Sequence, residues 1–381
     1  MKKLKFIIVL IIILLSFSSC ISSDTEIKNR LIIEGIGIDY NNKSDEYILT
    51  VQALSIVSAS SGDENSPKSP VVNFTVSGKT VAQALNSLCE NTGRTPLYSQ
   101  NRVILIGSEL DSSRIASALD YLVREYTARP DVCVAACVGS AADILKIQAN
   151  GEIPSKIIEE SINESNKNSI GQDSELYNLV NLYQEKTTAF TMSLLEIDKQ
   201  LNTESDCVKV TGTFVLDKNN KKNHLSSEET VMLKFITDDI ETGTLSLTCD
   251  GTNVGVDIIG SKTKIKTDIK DDKPYFDINV KCSVDLVEYG DPNFKSVSDE
   301  IIEKIRVDTE KYIASGMTEL LERQLKKEKS DIFRFGKRLE LSYTHIYEIL
   351  SEDWQNSMSD IDYNISVNVT VRKIGQETLR S

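Results

Sequence analysis

Residues 363–372 read YNISVNVTVR: Tyr363, Ile365, Val367, Val369 and Val371 fall on one side, Asn364, Ser366, Asn368, Thr370 and Arg372 on the other. Side chains alternate across a strand, so this stretch predicts a β-strand with one face on a core and one in water, as antiparallel sheets have. Ile278, Val280, Cys282, Val284 and Leu286 show the same period upstream. Between the two, residues 296–329 place Ile301, Ile305, Tyr312, Ile313, Met317, Leu320, Leu321 and Leu325 on one stripe, which predicts a long amphipathic helix. Ser296 and Asp299 are spaced as its capping box, and Lys326, Lys327 and Lys329 complement the negative end of its dipole.

Further upstream, residues 207–216 predict a strand, 228–240 a helix and 244–248 a strand. Residues 207–381 are therefore expected to form a C-terminal domain.

The first half opens with a hairpin: IIEGIGID (32–39) and YILTVQAL (47–54) are β-rich runs flanking a polar turn. Residues 58–70, SASSGDENSPKSP, lack an apolar period and predict a surface loop. From residue 71 to 150, strands at 72–76, 103–106 and 132–138 alternate with helical stripes, one through Val81, Ala84, Leu85 and Leu88 and one through Ile115, Leu119 and Leu122. That order predicts an α/β unit inside an N-terminal domain of residues 20–206. Residues 159–174 are polar and rich in Asn and Ser, and read as a long loop before the helical stripe of Leu176, Leu179, Val180 and Tyr183.

The first residues set the compartment. Lys2, Lys3 and Lys5 precede an apolar run from Phe6 to Leu15, and Ser16-Phe17-Ser18-Ser19-Cys20 follows. This is the order of a secretory signal, with an apolar run far short of the ~20 residues a spanning helix needs. A cysteine after two small residues is similar to a bacterial lipobox, although Phe17 stands where such boxes usually carry Leu, Val or Ile. Residues 1–19 are expected to be removed and Cys20 to become the lipidated first residue, anchoring the chain to the membrane without spanning it.

Composition narrows the function classes. The 381 residues suit two or three domains, and 40% hydrophobic with 26% charged residues is the balance of a folded chain. A formal charge of -14 repels nucleic-acid phosphates. His224 and His345 are the only histidines, too few for a His-based metal cage or most catalytic relays.

Local motifs add little chemistry. Gly35-Ile36-Gly37 lacks the third glycine and following helix of a dinucleotide loop. Cys133 and Cys137 have three intervening residues, one too many for a redox pair, and share one strand face where core packing accounts for them. With Cys89, Cys207, Cys249 and Cys282 they leave disulfides open, but their apolar surroundings favour free buried thiols. Trp354, the single tryptophan, reads either as a buried anchor or as an exposed contact residue.

Cys20, the strand Gly35-Ile36-Gly37-Ile38-Asp39, RTPLYSQNRVILIG (94–107), VTGTFVLD (210–217), SDIFRFGKRL (330–339) and Trp354 ahead of 365–375 stand in one order along the mature chain. In these segments the chain resembles the Ger(x)C spore germination lipoproteins, C subunits of nutrient germinant receptors. The resemblance implies an α+β fold of several domains with mixed and antiparallel sheets packed with helices, in keeping with the patterns above. It implies a lipoprotein on the extracytoplasmic face of the spore inner membrane, partnered by an A subunit and a multi-pass B subunit, in a complex that responds to a small-molecule germinant. It transfers no catalytic, cofactor or metal residues. Asp331, Phe333, Gly336 and Trp354 are candidate partner contacts; a capped helix end with a satisfied aromatic explains the same residues.

The competing reading is a solute-binding lipoprotein that delivers a small ligand to a transporter, which requires a deep interdomain pocket with convergent polar groups. An enzyme comes third, because no nucleophile is paired with a base.

Overall fold

A computed structural model of the chain describes residues 29–55, 70–125, 129–199, 207–290 and 298–374. The signal segment with Cys20, nearly all of the 58–70 loop and Ser296 lie outside the described residues.

β1 (Arg30–Asn41) and β2 (Glu46–Leu54) form the expected antiparallel hairpin, with Tyr40 opposite Tyr47. β3 (Val71–Gly78) extends β2 antiparallel, and the short β4 (Thr95–Leu97) runs parallel to the start of β1. β5 (Val103–Ile106), β6 (Cys133–Cys137) and β7 (Phe190–Asp198) follow β1 in parallel. β8 (Cys207–Leu216) and β9 (Lys222–Ser226) complete a nine-stranded mixed sheet in antiparallel fashion. The strand at Cys207, read from sequence as the first of the C-terminal half, thus hydrogen-bonds to β7 in the large sheet.

The central parallel strands are buried on both faces, which is why residues 103–106 are apolar throughout. Ile104 and Ile106 join a core with α1 (Val81–Thr92) and α2 (Ser112–Arg124). Val103 and Leu105 join one closed by α3 (Ala141–Leu145) and α4 (Pro154–Lys167). Each large apolar side chain so buried contributes about 1.5–3 kcal/mol. Helix α1 starts at Thr80, whose side chain accepts from Gln83 N, and stops at Gly93 in the left-handed region.

α4 corrects the sequence reading of 159–174 as a loop for residues 159–167, while 168–174 form neither helix nor strand. Pro154 occupies the first turn and Ile158 and Ile162, four residues apart, are the buried pair that holds the helix to the sheet. With Asn, Ser and Glu filling the solvent face, two apolar residues were too few to register as a period. α5 (Leu176–Gln184) follows and buries Leu176 and Leu179.

α6 (Ser227–Thr237) carries a capping box between Ser226 and Glu229 and leads to a four-stranded sheet of β10 (Gly243–Cys249), β11 (Thr252–Lys270), β12 (Lys273–Tyr289) and β13 (Asp362–Ile374). Asp271 and Asp272, both at positive φ, make the tight turn between β11 and β12. α7 (Asp299–Leu321) covers this sheet; its cap is Ser298, which accepts from Ile301 N, and it ends in a π-helical turn at Glu322–Glu328.

β13 is a second correction. It forms where 363–372 predicted it, but runs parallel to β12, with Tyr363 opposite Phe276 and Val371 opposite Val284. Alternation reports a half-buried face and says nothing about direction. The connection through α7, α8 (Phe335–Ser342), α9 (Thr344–Leu350) and α10 (Trp354–Ser357) is a long crossover, which returns the chain to the same end of the sheet.

The two sheets share a core. Ala189, Val215 and Leu225 of the large sheet and its approach are buried in one cluster with Phe235, Val256, Phe276, Met317 and Phe333. The result is an α+β fold built on two sheets.

Candidate functional site

The segment between the π-helical turn and α8 is where the chain ties its two sheets together. Lys329 ends the turn in the left-handed region, and Asp331 follows, 1% exposed. Its carbonyl accepts from Ala189 N at 3.0 Å, and it bridges to Thr188 at the approach to β7. Its carboxylate turns the other way: Oδ1 accepts from Phe333 N (3.2 Å) and Phe335 N (3.0 Å), Oδ2 from Gly336 N (2.8 Å). One side chain therefore satisfies two of the orphan donors that the start of α8 leaves unpaired, those of Phe335 and Gly336, and the N–H of Phe333 in the turn before it.

Burial pushes the Asp331 carboxyl up to about 6, against the opposing pull of the Gly336, Phe335 and Phe333 N–H groups. The Trp354 indole also favours the charged form, although its Nε1 meets no acceptor in hydrogen-bonding geometry.

The turn that Asp331 caps aims its aromatics into the second sheet. Phe335 stacks on Phe276 of β12 with ring centroids 4.1 Å apart, and Phe333 lies 5.3 Å from Phe335. Gly336 passes so close to Thr187 that a β-carbon there would lie 2.6 Å from Thr187 Cβ. Arg334, at positive φ and exposed, pairs with Glu185 at 2.7 Å. Downstream, Gln355 Nε2 donates to Asp217 Oδ2 (3.2 Å), while Asp217 Oδ1 accepts from the N–H groups of Asn219 and Lys221 between β8 and β9. Lys221 in turn pairs with Glu328 at 2.8 Å.

Asp331, Phe333, Gly336 and Trp354 are thus brought into one region, but as buried parts of an internal junction. Of the two readings of these residues, the geometry within the chain is that of a capped helix end: the acid accepts from three backbone donors and the aromatics fill a core. Cys20 lies outside the described residues. Glu185, Thr187 and Asp217, the opposite side of the junction, carried no local signal because nothing in their own neighbourhood encodes a contact more than a hundred residues away. The six other cysteines are free thiols, and Cys133 and Cys137 both lie against the α3–α4 core as expected. No described helix is long and apolar enough to cross a membrane.

The comparisons with known proteins cover the segments singled out above from Gly35 onward. Residues 23–197 match the family described as "Spore germination protein N-terminal domain", and residues 211–375 match "Spore germination B3/ GerAC like, C-terminal". The chain belongs to the Ger(x)C spore germination family. "Spore germination protein B3" of Bacillus subtilis (strain 168) is 24% identical over 357 residues, 92% of each chain. "Spore germination protein A3" of the same organism is 26% identical over 376 residues, 97% of each. The crystal structure of the GerBC protein superposes with a TM-score of 0.59 at 21% identity, covering 88% of this chain and 96% of that one, so the Ger(x)C fold is shared.

Proposed function

We propose that this chain is a non-enzymatic subunit of a spore germinant receptor, anchored through a lipid on Cys20 and assembled with the A and multi-pass B membrane subunits. The observation that carries the reading is full-length similarity: both Ger(x)C halves are present in order, and relatives named for spore germination are matched over more than nine-tenths of their length. A junction made of backbone caps, stacked rings and close packing suits a body that transmits force or holds partners in place. It supplies no nucleophile with its base.

Tagged full chain is recovered from detergent-solubilised spore inner membrane, with mass spectrometry of co-purifying proteins and of the Cys20 peptide. Recovery of a multi-pass subunit together with an acylated Cys20 supports the reading. An unmodified chain without partners overturns it and leaves the solute-binding reading in its place.

A further inference from the structure

β3 ends the nine-stranded sheet, with β2 on one side and its other edge open. Its residues, VVNFTVSG, include no charge and no proline and are rich in the β-branched and aromatic types that suit a sheet. Among the described residues, no hydrogen bond reaches the backbone of 72–78 from outside the β2–β3 ladder. Val72 is 44% exposed, and Asn73, Thr75 and Ser77 are exposed as well.

An open edge is a template for another strand, and folded proteins blunt it with brevity, charge or cover. The other edges of this protein are blunted in these ways. β4 has three residues. On β9 the Arg323 guanidinium donates to the His224 carbonyl at 3.0 Å, and Lys222 adds a charge. On β13 Glu310 Oε1 accepts from Val369 N at 2.9 Å, and Asp362 and Arg372 lie within the strand. β10 is as free of charge as β3, but its start is pressed against the end of α4. Thr242 N donates to Lys167 O there, and a β-carbon on Gly243 would lie 2.9 Å from Asn168 O. Glu241 and Asp250 also flank β10, so an antiparallel pair with its own copy would set acid near acid.

The charge pattern selects the partner for β3. A chain of formal charge -14 repels its own copy over most of its surface, so self-association is least opposed where acids are missing. β3 contains no acid and is bounded by Pro70 and Lys79. An antiparallel pair about a two-fold axis at Phe74 sets Val72 of each copy opposite Val76 of the other, and Asn73 opposite Thr75. Phe74 and Val76 already pack with the core beneath α1. The apolar row on that face therefore continues across the axis, while neutral polar residues meet on the other face.

We propose that β3 pairs edge to edge with β3 of a second copy of this chain, joining two nine-stranded sheets into one. The inference goes beyond the receptor-subunit reading and does not rest on it.

The test is sedimentation equilibrium of the mature chain from residue 20, carrying Cys20→Ser so that no lipid contributes; every described element lies within it. A contact of one strand per copy is small, so the expected result is a reversible dimer with a Kd of about 100 µM or tighter. Val72→Lys and, separately, Thr75→Lys should each weaken it at least about tenfold, because a lysine on an edge strand opposes pairing. Both side chains are exposed, and circular dichroism and melting confirm that the variants fold. Ser246→Lys, on the uncharged edge of β10, should leave the dimer unchanged. A chain still monomeric at about 500 µM overturns the proposal and leaves the edge to an extended segment of a different protein. A dimer that both β3 variants leave intact, or that Ser246→Lys weakens equally, overturns it too.

Discussion

Gly336 and Thr187 touch across the boundary between the two sheets: a β-carbon on Gly336 would lie 2.6 Å from Thr187 Cβ and closer still to Oγ1. The backbone of Gly336 is also fixed from below, since its N–H donates to Asp331 Oδ2 at 2.8 Å. It cannot retreat without giving up that bond.

Gly336→Ala is therefore expected to destabilise the protein by about 1–3 kcal/mol, the usual cost of overpacking. Chemical denaturation of wild type and variant measures this. Adding Thr187→Gly, which removes the opposing atoms, should recover part of the loss; a Gly336→Ala protein as stable as wild type would show that the junction gives way easily.

Asp331 makes stability depend on pH. Its carboxyl is raised from 3.8 to about 6 by burial, so between those values the folded state holds a proton that the unfolded state has released. Its contribution is fully present below the lower value and is lost as pH rises through the upper one, roughly 3 kcal/mol at most. Asp331→Asn should flatten that part of the profile. It should also cost about 1–3 kcal/mol at every pH, because an amide cannot accept from all three N–H groups at once. Urea melts at several pH values separate the two effects.

Arg102 joins Glu34 (2.9 Å) and Glu159 (2.8 Å), and Glu34 is nearly fully buried. Arg102→Met would leave the Glu34 carboxylate buried without its cation, a loss of roughly 3–5 kcal/mol. Part of that loss should be regained on acidification as Glu34 takes up a proton, since burial already raises its pKa. A melting temperature independent of Arg102 would argue against the triad as a structural element.

Trp354 is a built-in reporter of the junction. It is 6% exposed and the single tryptophan of the chain. Its emission should be that of a shielded indole, should shift to the red on unfolding, and should follow the far-ultraviolet circular dichroism if the sheets unfold together. A fluorescence transition well ahead of the dichroism would mean that the junction opens first.

Under the proposed anchoring, Cys20→Ala should move the protein from the membrane fraction to the soluble fraction of spore extracts, because the anchor contributes ~0.8 kcal/mol per buried methylene. Immunoblotting of the two fractions reads this out. Full retention on the membrane would mean that partner subunits alone hold the chain.

Much of the fold was readable from local pattern. The β1–β2 hairpin, the helices at Val81 and Ser112 and the apolar 103–106 strand are written in periods of 2 and 3.6, since burial of one face or two leaves its mark on consecutive residues. α4 was not readable, because Ile158 and Ile162 are its only large apolar side chains in the core and a polar helix resembles a polar loop.

Local pattern was enough to read an alternating strand after a long amphipathic helix near the C-terminus and, through SDIFRFGKRL and its companions, the family. The parallel run of β13 beside β12, the place of the Cys207 strand in the large sheet and the inward turn of Asp331, Gly336 and Trp354 became visible with the folded chain. The physical reason is range. Alternation and capping are short-range consequences of backbone geometry, whereas strand direction and the approach of Gly336 to Thr187 depend on contacts between segments far apart in the chain.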